Sequence, residues 1–289
     1  MHTKITGHTR LTGLLGSPVS HSISPLMHNK AFDMLGLDYA YLCFDVGEKD
    51  LKSAVDGLRT LGARGWNCTM PDKQRMCELC DQLSPAAEMT GAVNTVVNDN
   101  GFLTGHNTDG AGYMMAVREA GFNITGKNMT LLGAGGASTA IAVQAALDGV
   151  SSINIFNRRG RSWSHALSLA DTINTQTSCR VSVYDMEDVS ALKSCLDVSD
   201  ILTNGTSVGM SPLDRECILS SSSVLHPGLI VSDVIYNPRK TRLMELAEEA
   251  GCDTFNGLYM LLFQGAGAFR LWTGREMPVQ EIKELYFSS

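Results

Sequence analysis

Met129-Thr130-Leu131-Leu132-Gly133-Ala134-Gly135-Gly136-Ala137-Ser138 decides the fold. A short apolar strand runs into a cluster of glycines, and the glycines open a helix. Glycine permits the tight turn and lets the backbone approach a pyrophosphate. The helix start then offers unpaired N–H groups and a partial positive charge. Ser138 stands where a third glycine is usual in such turns. Downstream, Ser152–Phe156, Val181–Tyr184, Ile201–Asn204 and Leu229–Val234 read as strands that alternate with helices. That alternation predicts a parallel sheet with helices on both faces. The fold class is α/β, with a Rossmann-type, doubly wound parallel-sheet dinucleotide domain over residues 125–238, beginning within the polar stretch Asn123–Asn128.

Upstream the pattern is mixed. Leu11–Leu15, Tyr39–Val46, Gly65–Met70 and Val93–Val97 read as strands, and Asn98-Asp99-Asn100-Gly101 is a turn signal. Ser24-Pro25 reads as an N-cap and first helical position, followed by Met27, Ala31, Met34 and Leu35 at helical spacing. Asp50 is the expected cap of a helix with the stripe Leu51, Ala54, Val55, Leu58 and Leu61. Further helices are expected over residues 72–83 and 109–120. Two tail helices, Thr241–Gly251 and Asn256–Phe269, are expected to return to the first domain. Residues 1–124, completed by 239–289, thus form a predicted N-terminal α/β substrate-binding and catalytic domain.

The 289 residues are 44% hydrophobic and 18% charged, a globular balance, with a net charge of −7. This argues against the basic surface of a nucleic-acid binder. No apolar run reaches 18 residues, so a membrane span is not expected, and Met1–Arg10 lacks the apolar core of a secretory signal. The default location is cytoplasmic. Eight scattered cysteines do not suggest a disulfide framework. Cys77 and Cys80 form a CxxC pair with no second pair or nearby His pair to complete a zinc site. They read as small hydrophobes on a helix after Pro71. His21, His28 and His106 are not metal-spaced, so no metal is expected.

The strand after the glycine turn normally ends in an acid that binds the ribose hydroxyl of NAD. Asn157-Arg158-Arg159-Gly160-Arg161 stands there instead. Three guanidiniums suit a 2′-phosphate, so NADP is the first choice and NAD the second. The bland alternative is a solvated basic loop.

Four polar clusters precede the dinucleotide fold. They are Gly16-Ser17-Pro18-Val19-Ser20-His21-Ser22-Ile23-Ser24-Pro25, Asn67-Cys68-Thr69-Met70-Pro71-Asp72-Lys73, Gly91-Ala92-Val93-Asn94-Thr95 and Asn107-Thr108-Asp109-Gly110. Each alone has a plain reading as caps and turns. In this order, and with Asp233-Val234-Ile235-Tyr236-Asn237-Pro238 and Asn256-Gly257-Leu258-Tyr259-Met260-Leu261-Leu262-Phe263-Gln264, the chain resembles the shikimate dehydrogenase family over nearly its whole length. It looks most like the quinate/shikimate dehydrogenase branch, on Thr203-Asn204-Gly205-Thr206-Ser207-Val208-Gly209-Met210 and the Asn-Arg-Arg at 157–159.

The resemblance implies reversible NAD(P)-dependent oxidation of shikimate to 3-dehydroshikimate, of quinate to 3-dehydroquinate, or of both. It places the protein in the shikimate pathway of aromatic amino acid biosynthesis and allows a homodimer. It implies that Ser22 and Ser24 bind the ring carboxylate. Thr69, Asn94, Tyr236 and Gln264 would contact the carboxylate or ring hydroxyls, and Lys73 and Asp109 would be the catalytic pair. For the dinucleotide it implicates Gly133, Ala134, Gly135, Gly136, Ala137, Asn157, Arg158, Arg159, Ser207, Val234 and Gly257. Two positions depart from the branch: Gly160 where an acid often stands, and Ser207 where a lysine may occur.

The chemistry agrees with the residue types. Hydride transfer to a ketone builds negative charge on oxygen, which an ammonium can stabilise or protonate. A carboxylate can hold the substrate hydroxyl and orient that ammonium. A non-catalytic regulator that binds a dinucleotide or ring acid is the alternative, and Lys73 and Asp109 argue against it. A folate-linked dehydrogenase is a further alternative, and Ser22 with Ser24 ahead of Lys73 fits a small carboxylate better.

Overall fold

The computed structural model describes residues 5–287, so the first four residues of the polar N-terminal stretch lie outside it. In chain order the first part comprises β1 (Arg10–Gly16), α1 (Ser24–Met34), β2 (Tyr39–Asp45), α2 (Glu48–Thr60), β3 (Gly65–Cys68), β4 (Gln82–Leu83), α3 (Pro85–Thr90), β5 (Thr95–Asp99) and β6 (Phe102–His106). Then come α4 (Asp109–Glu119), β7 (Asn128–Leu132), α5 (Gly136–Leu147), β8 (Ser152–Asn157), α6 (Trp163–Gln176), β9 (Arg180–Asp185) and α7 (Val189–Leu196). The chain continues through β10 (Ile201–Asn204), β11 (Ile230–Asp233), α8 (Arg242–Glu249), β12 (Asp253–Phe255), α9 (Leu258–Thr273) and α10 (Val279–Tyr286).

Contacts gather these elements into two compact units. One holds the residues up to Thr108 together with Leu262 onward, and the other is Asp109–Leu261. The contact boundary falls at 108/109, ahead of the change of sequence character near 124, because α4 packs on α5. Helix α8, expected to return to the first unit, packs instead on β11 and β12. Leu243 and Ala247 join the core beneath the second sheet.

The first unit is built on a mixed sheet of order β2-β1-β3-β5-β6-β4. β1 runs parallel to β2 and β3, and β5 is antiparallel to β3 and β6. Asn100 (φ 55°) and Gly101 (φ 95°) make the hairpin between β5 and β6, the left-handed pair such a two-residue turn requires. Leu51, Val55 and Leu58 of α2 pack with Trp66 and Met76 in the core. A fully buried Leu or Met of this kind contributes about 1.5–3 kcal/mol. The second unit carries six strands in the order β12-β11-β10-β7-β8-β9, and every pairing is parallel.

Three local expectations are corrected. Ser24 is the first residue of α1 rather than its cap: Ile23 is the N-cap, and the Ser24 amide donates to Ser22 Oγ (3.2 Å). Asp50 lies in the first turn of α2, where a carboxylate still meets the helix dipole, and Gly47 is the cap. The helix expected over 72–83 is a short 3-10 turn, Arg75–Leu79, followed by β4. The residues flanking that turn bond outward, from Val93 N to Lys73 O (2.9 Å), from Asp81 N to Leu103 O (2.9 Å) and from Ser84 N to Gly105 O (2.8 Å). Tertiary partners override the local preference.

His28 lies inside the first unit, fully buried, stacked on Tyr41 at 4.5 Å and packed near Phe269 and Trp272. Neither ring nitrogen has a hydrogen-bond partner among the described residues. Burial therefore lowers its pKa to about 3. An unfolded histidine titrates near 6.5, so the unfolded chain takes up the proton first. The stability from the neutral ring is complete above that pH and is lost as pH falls towards 3. Between pH 7 and pH 5 the protein should lose about 2 kcal/mol that a His28→Phe variant keeps. Urea unfolding of both proteins at the two pH values measures this, and equal losses would contradict it.

Candidate active site

In the first unit the candidate residues gather at the carboxyl ends of β1 and β3. Their parallel pairing aligns Leu15 with Cys68, so the loops beyond them leave from the same edge. Thr69 N donates to Leu15 O (2.9 Å), and Ser17 N donates to Met70 O (3.1 Å). The loop after β1 delivers Ser22 and Ser24, and the loop after β3 delivers Thr69 and Lys73. Gly16, at φ 155°, allows the two loops to meet, since a Cβ there would stand 2.3 Å from Thr69 Cγ2. The Lys73 carbonyl is fixed by Val93 N at 2.9 Å and by the Cys77 thiol at 3.7 Å.

Asn94 precedes β5 at the same edge. Cys68 N donates to its carbonyl (2.8 Å). Its buried side chain accepts from Thr108 N at 2.8 Å and donates to Thr108 Oγ1 at 2.9 Å. Gln264 lies on α9 beside Gly265, where a Cβ would stand 2.2 Å from Met27 Cε of α1. The unit thus brings Ser22, Ser24, Thr69, Lys73 and Asn94 to one sheet edge, and Gln264 stands on the helix packed against α1.

The second unit gathers the remaining candidates. Gly133, at φ 92°, turns the chain out of β7, and a Cβ on it would stand 2.7 Å from Thr206 Cγ2. Gly135 caps α5 with no side-chain hydrogen bond, and a Cβ on Gly135 or Gly136 would meet nothing within 4 Å. An uncapped helix start beside open space fits a dinucleotide pyrophosphate. Ala134 is buried, Ala137 half-buried, and Ser138 Oγ donates to Gly205 O (3.2 Å). Ser138 thus ties the turn to the end of β10, a role that a third glycine could not fill.

Asn157 ends β8 buried and donates from Nδ2 to Ser162 Oγ (3.0 Å). The reading of three guanidiniums without an acid changes here. Arg159 Nε donates to Asp185 at 2.6 Å, and its guanidinium lies over Trp163 at 4.9 Å. Asp185 pairs in register with Asn157 on the neighbouring strand, so the acid arrives from β9. Hydrogen bonds from the Glu187 amide and Arg159 hold its carboxyl below the usual range. Arg158 is exposed beside them.

Ser207 is exposed in the loop after β10. Val234 and Tyr236 come just after β11, with Tyr236 46% exposed. Gly257 N donates to Ile235 O (3.1 Å), and a Cβ on Gly257 would fall 1.9 Å from Val234 O, so only glycine fits. Asp109 opens α4, whose Gly110 lies against the backbone of α5 at Ala140. Cofactor candidates therefore sit at the carboxyl ends of β7, β8, β10 and β11, where open parallel sheets bind ligands.

Thr108, Asp185, Asn204 and Asp233 are polar residues of these sites to which the sequence alone gave no role. Thr108, Asn204 and Asp233 lay within quoted motifs. Asp185 could have been found by looking for an acid one strand further on. Among the described residues no cluster of three or more potential ligands suits a metal ion, and no helix is long and apolar enough to cross a membrane.

Known proteins resemble the chain over nearly its whole length. The model of the shikimate dehydrogenase substrate-binding domain matches residues 14–96, and that of the shikimate 5′-dehydrogenase C-terminal domain matches 257–285. A Listeria innocua protein named shikimate dehydrogenase (NADP(+)) is 57% identical over 284 residues, covering 98% of each chain. An Escherichia coli protein named quinate/shikimate dehydrogenase is 47% identical over 281 residues, covering 97% of this chain and 98% of its own. Among solved structures, shikimate 5-dehydrogenase from Listeria monocytogenes in complex with shikimate and NAD superposes with a TM-score of 0.96. It is 56% identical and covers 98% of each chain.

Proposed function

The chain belongs to the shikimate dehydrogenase family, and from that premise we propose how its residues carry out the reaction. The reaction is the NAD(P)-dependent interconversion of shikimate and 3-dehydroshikimate in the shikimate pathway. One observation supports the residue assignment above the others: two hydroxyls, a threonine, a lysine and an asparagine leave from a single edge of the first sheet. In this proposal Ser22 and Ser24 donate to the ring carboxylate. Thr69, Asn94, Tyr236 and Gln264 select the ring hydroxyls. The unit up to Thr108 with Leu262 onward serves the substrate, and the unit Asp109–Leu261 serves the dinucleotide and adds Asp109 and Tyr236 to the substrate.

When bound, the nicotinamide accepts or delivers the hydride. Lys73 holds the reacting oxygen, stabilises negative charge on it and passes its proton. Asp109 accepts from the substrate hydroxyl and keeps the lysine aimed. Gly133 to Ala137 and the start of α5 hold the pyrophosphate, with Asn157, Ser207, Val234 and Gly257 around the rest of the molecule. Arg158, exposed at the end of β8, receives the 2′-phosphate, and Arg159 is braced for adenine by Asp185. NADP is therefore the preferred of the two cofactors, and quinate is accepted beside shikimate. A cytoplasmic location and a homodimer are proposed alongside.

Steady-state kinetics with both acids and both dinucleotides test this reading. The expected result is turnover of shikimate and quinate, with kcat/KM higher for NADP than for NAD. No dinucleotide reduction with either acid would overturn the function. A strong preference for NAD would overturn the role given to Arg158.

A further inference from the structure

We propose that Asp233 is a positioning residue, whose carboxylate clasps together the two loops assigned to the cofactor and to one side of the substrate. Asp233 is the last residue of β11 and is 1% exposed. Its Oδ1 accepts from Asn204 Nδ2 (3.1 Å) and from Ile235 N (3.0 Å), and its Oδ2 accepts from Thr241 Oγ1 (2.8 Å). Three donors from three segments thus converge on one buried carboxylate. Burial pushes its pKa up, and those three bonds act in the opposite direction.

Each partner extends the clasp. Asn204 is the last residue of β10 and stands in register with Asp233. Its Oδ1 accepts from Thr206 N (3.0 Å) and Thr206 Oγ1 (2.7 Å), and its Nδ2 also donates to Val208 O (3.2 Å). The loop holding Ser207 is therefore shaped by Asn204, and Asn204 is aimed by Asp233. On the other side, Thr241 is the N-cap of α8. Between Ile235 and Thr241 the chain must cross the stretch that holds Tyr236, so the carboxylate fixes both ends of that stretch. Gly257, bonded to Ile235 O, is seated against the same segment.

A core polar cluster with only a structural task would not need to join the ends of two neighbouring strands at the edge where ligands bind. Here one side chain sets the relative placement of Ser207, Val234 and Tyr236. The carboxylate touches neither reacting group in this account and acts through those residues.

The inference rests on the proposed function, and wild-type turnover of shikimate tests that reading separately. Asp233→Ala, Asp233→Asn and Thr241→Val are compared with the wild type. The measurements are the Kd for NADPH in the binary complex, by fluorescence, and KM and kcat for shikimate. Asn keeps the Oδ1 acceptor and can donate to Thr241 Oγ1, so Asp233→Asn should stay within about threefold of wild type in Kd and KM. Asp233→Ala should raise both by about tenfold or more, the cost expected when buried donors lose a charged acceptor. If Asp233→Ala does not fold, Thr241→Val carries the test. It keeps two of the three bonds and should raise KM for shikimate severalfold while kcat changes less. Lowered thermal stability with Kd and KM unchanged in the folded variants would reduce the clasp to a structural role and overturn the proposal.

Discussion

Replacing Lys73 with alanine should lower kcat for shikimate by about 10²–10⁴-fold, the range for loss of a positioned acid–base group, while KM changes far less. The asymmetry comes from where the ammonium acts. It meets little charge on the bound alcohol and much more on the oxygen as hydride leaves or arrives. The surroundings make the experiment clean. The Lys73 carbonyl is held by Val93 N and the Cys77 thiol, both independent of the side chain, so the turn survives truncation. Lys73→Arg should not restore the rate, because a planar fork does not replace a compact ammonium. Asp109→Ala should damage the same step, and the double variant should lose much less than the combined effect of the singles. A kcat for Lys73→Ala equal to that of the wild type would remove Lys73 from the chemistry.

The second large effect is expected from one methyl group. Gly110→Ala places a Cβ 2.2 Å from the Ala140 carbonyl oxygen and 2.6 Å from Gln144 Cβ. Helix backbone cannot yield at one point, so α4 must move away from α5. Overpacking of this kind should cost ~3 kcal/mol, read as a lower urea midpoint with unchanged slope. The same displacement carries Asp109, one residue earlier, so kcat should fall as well. Gly135→Ala is the counterpart. Its Cβ would meet nothing within 4 Å, so stability should hold while dinucleotide affinity falls. Wild-type stability in Gly110→Ala would show that the α4–α5 approach is looser than described.

Much of this architecture could be read before any coordinates. The run from Met129 to Ser138 carries its own punctuation, and the strands after it are apolar on both faces because helices cover both. Asp109–Glu119 was readable for the same reason, a periodic pattern ending at a glycine. β4, β6 and β12 were not. β4 and β12 have two and three residues, and β6 (Phe102–His106) alternates weakly, so its identity comes from pairing with β5. The stretch 72–83 looked helical because its apolar spacing is helical, but its amides and carbonyls bond to β6 and the segment before β5. At the proposed site, single motifs named the residues proposed to meet the ligand. Asn204 and Asp233 are ordinary polar letters until strand register places them side by side, and Thr108 until its backbone and hydroxyl meet Asn94. Asp185 shows the same limit, since a partner on the next strand is far away in sequence.

The division of the chain also bears on the order in which it is made. Residues 109–261 form one unbroken stretch, whereas the first unit is assembled from the two segments that flank it, up to Thr108 and from Leu262 onward. All six strands of the first sheet have been synthesised by His106. Trp272, fully buried, comes much later: its indole nitrogen donates to Val96 O (2.9 Å) and its carbonyl accepts from Arg64 Nε (2.9 Å). On the ribosome the earlier half of that core must wait, its apolar face uncovered, while the intervening unit is translated and can close on itself. Domains emerging from synthesis generally fold as units, the first one first. Here the unit that begins first is finished last, since the contacts of Trp272 with Val96 and Arg64 form only after the intervening unit has been made.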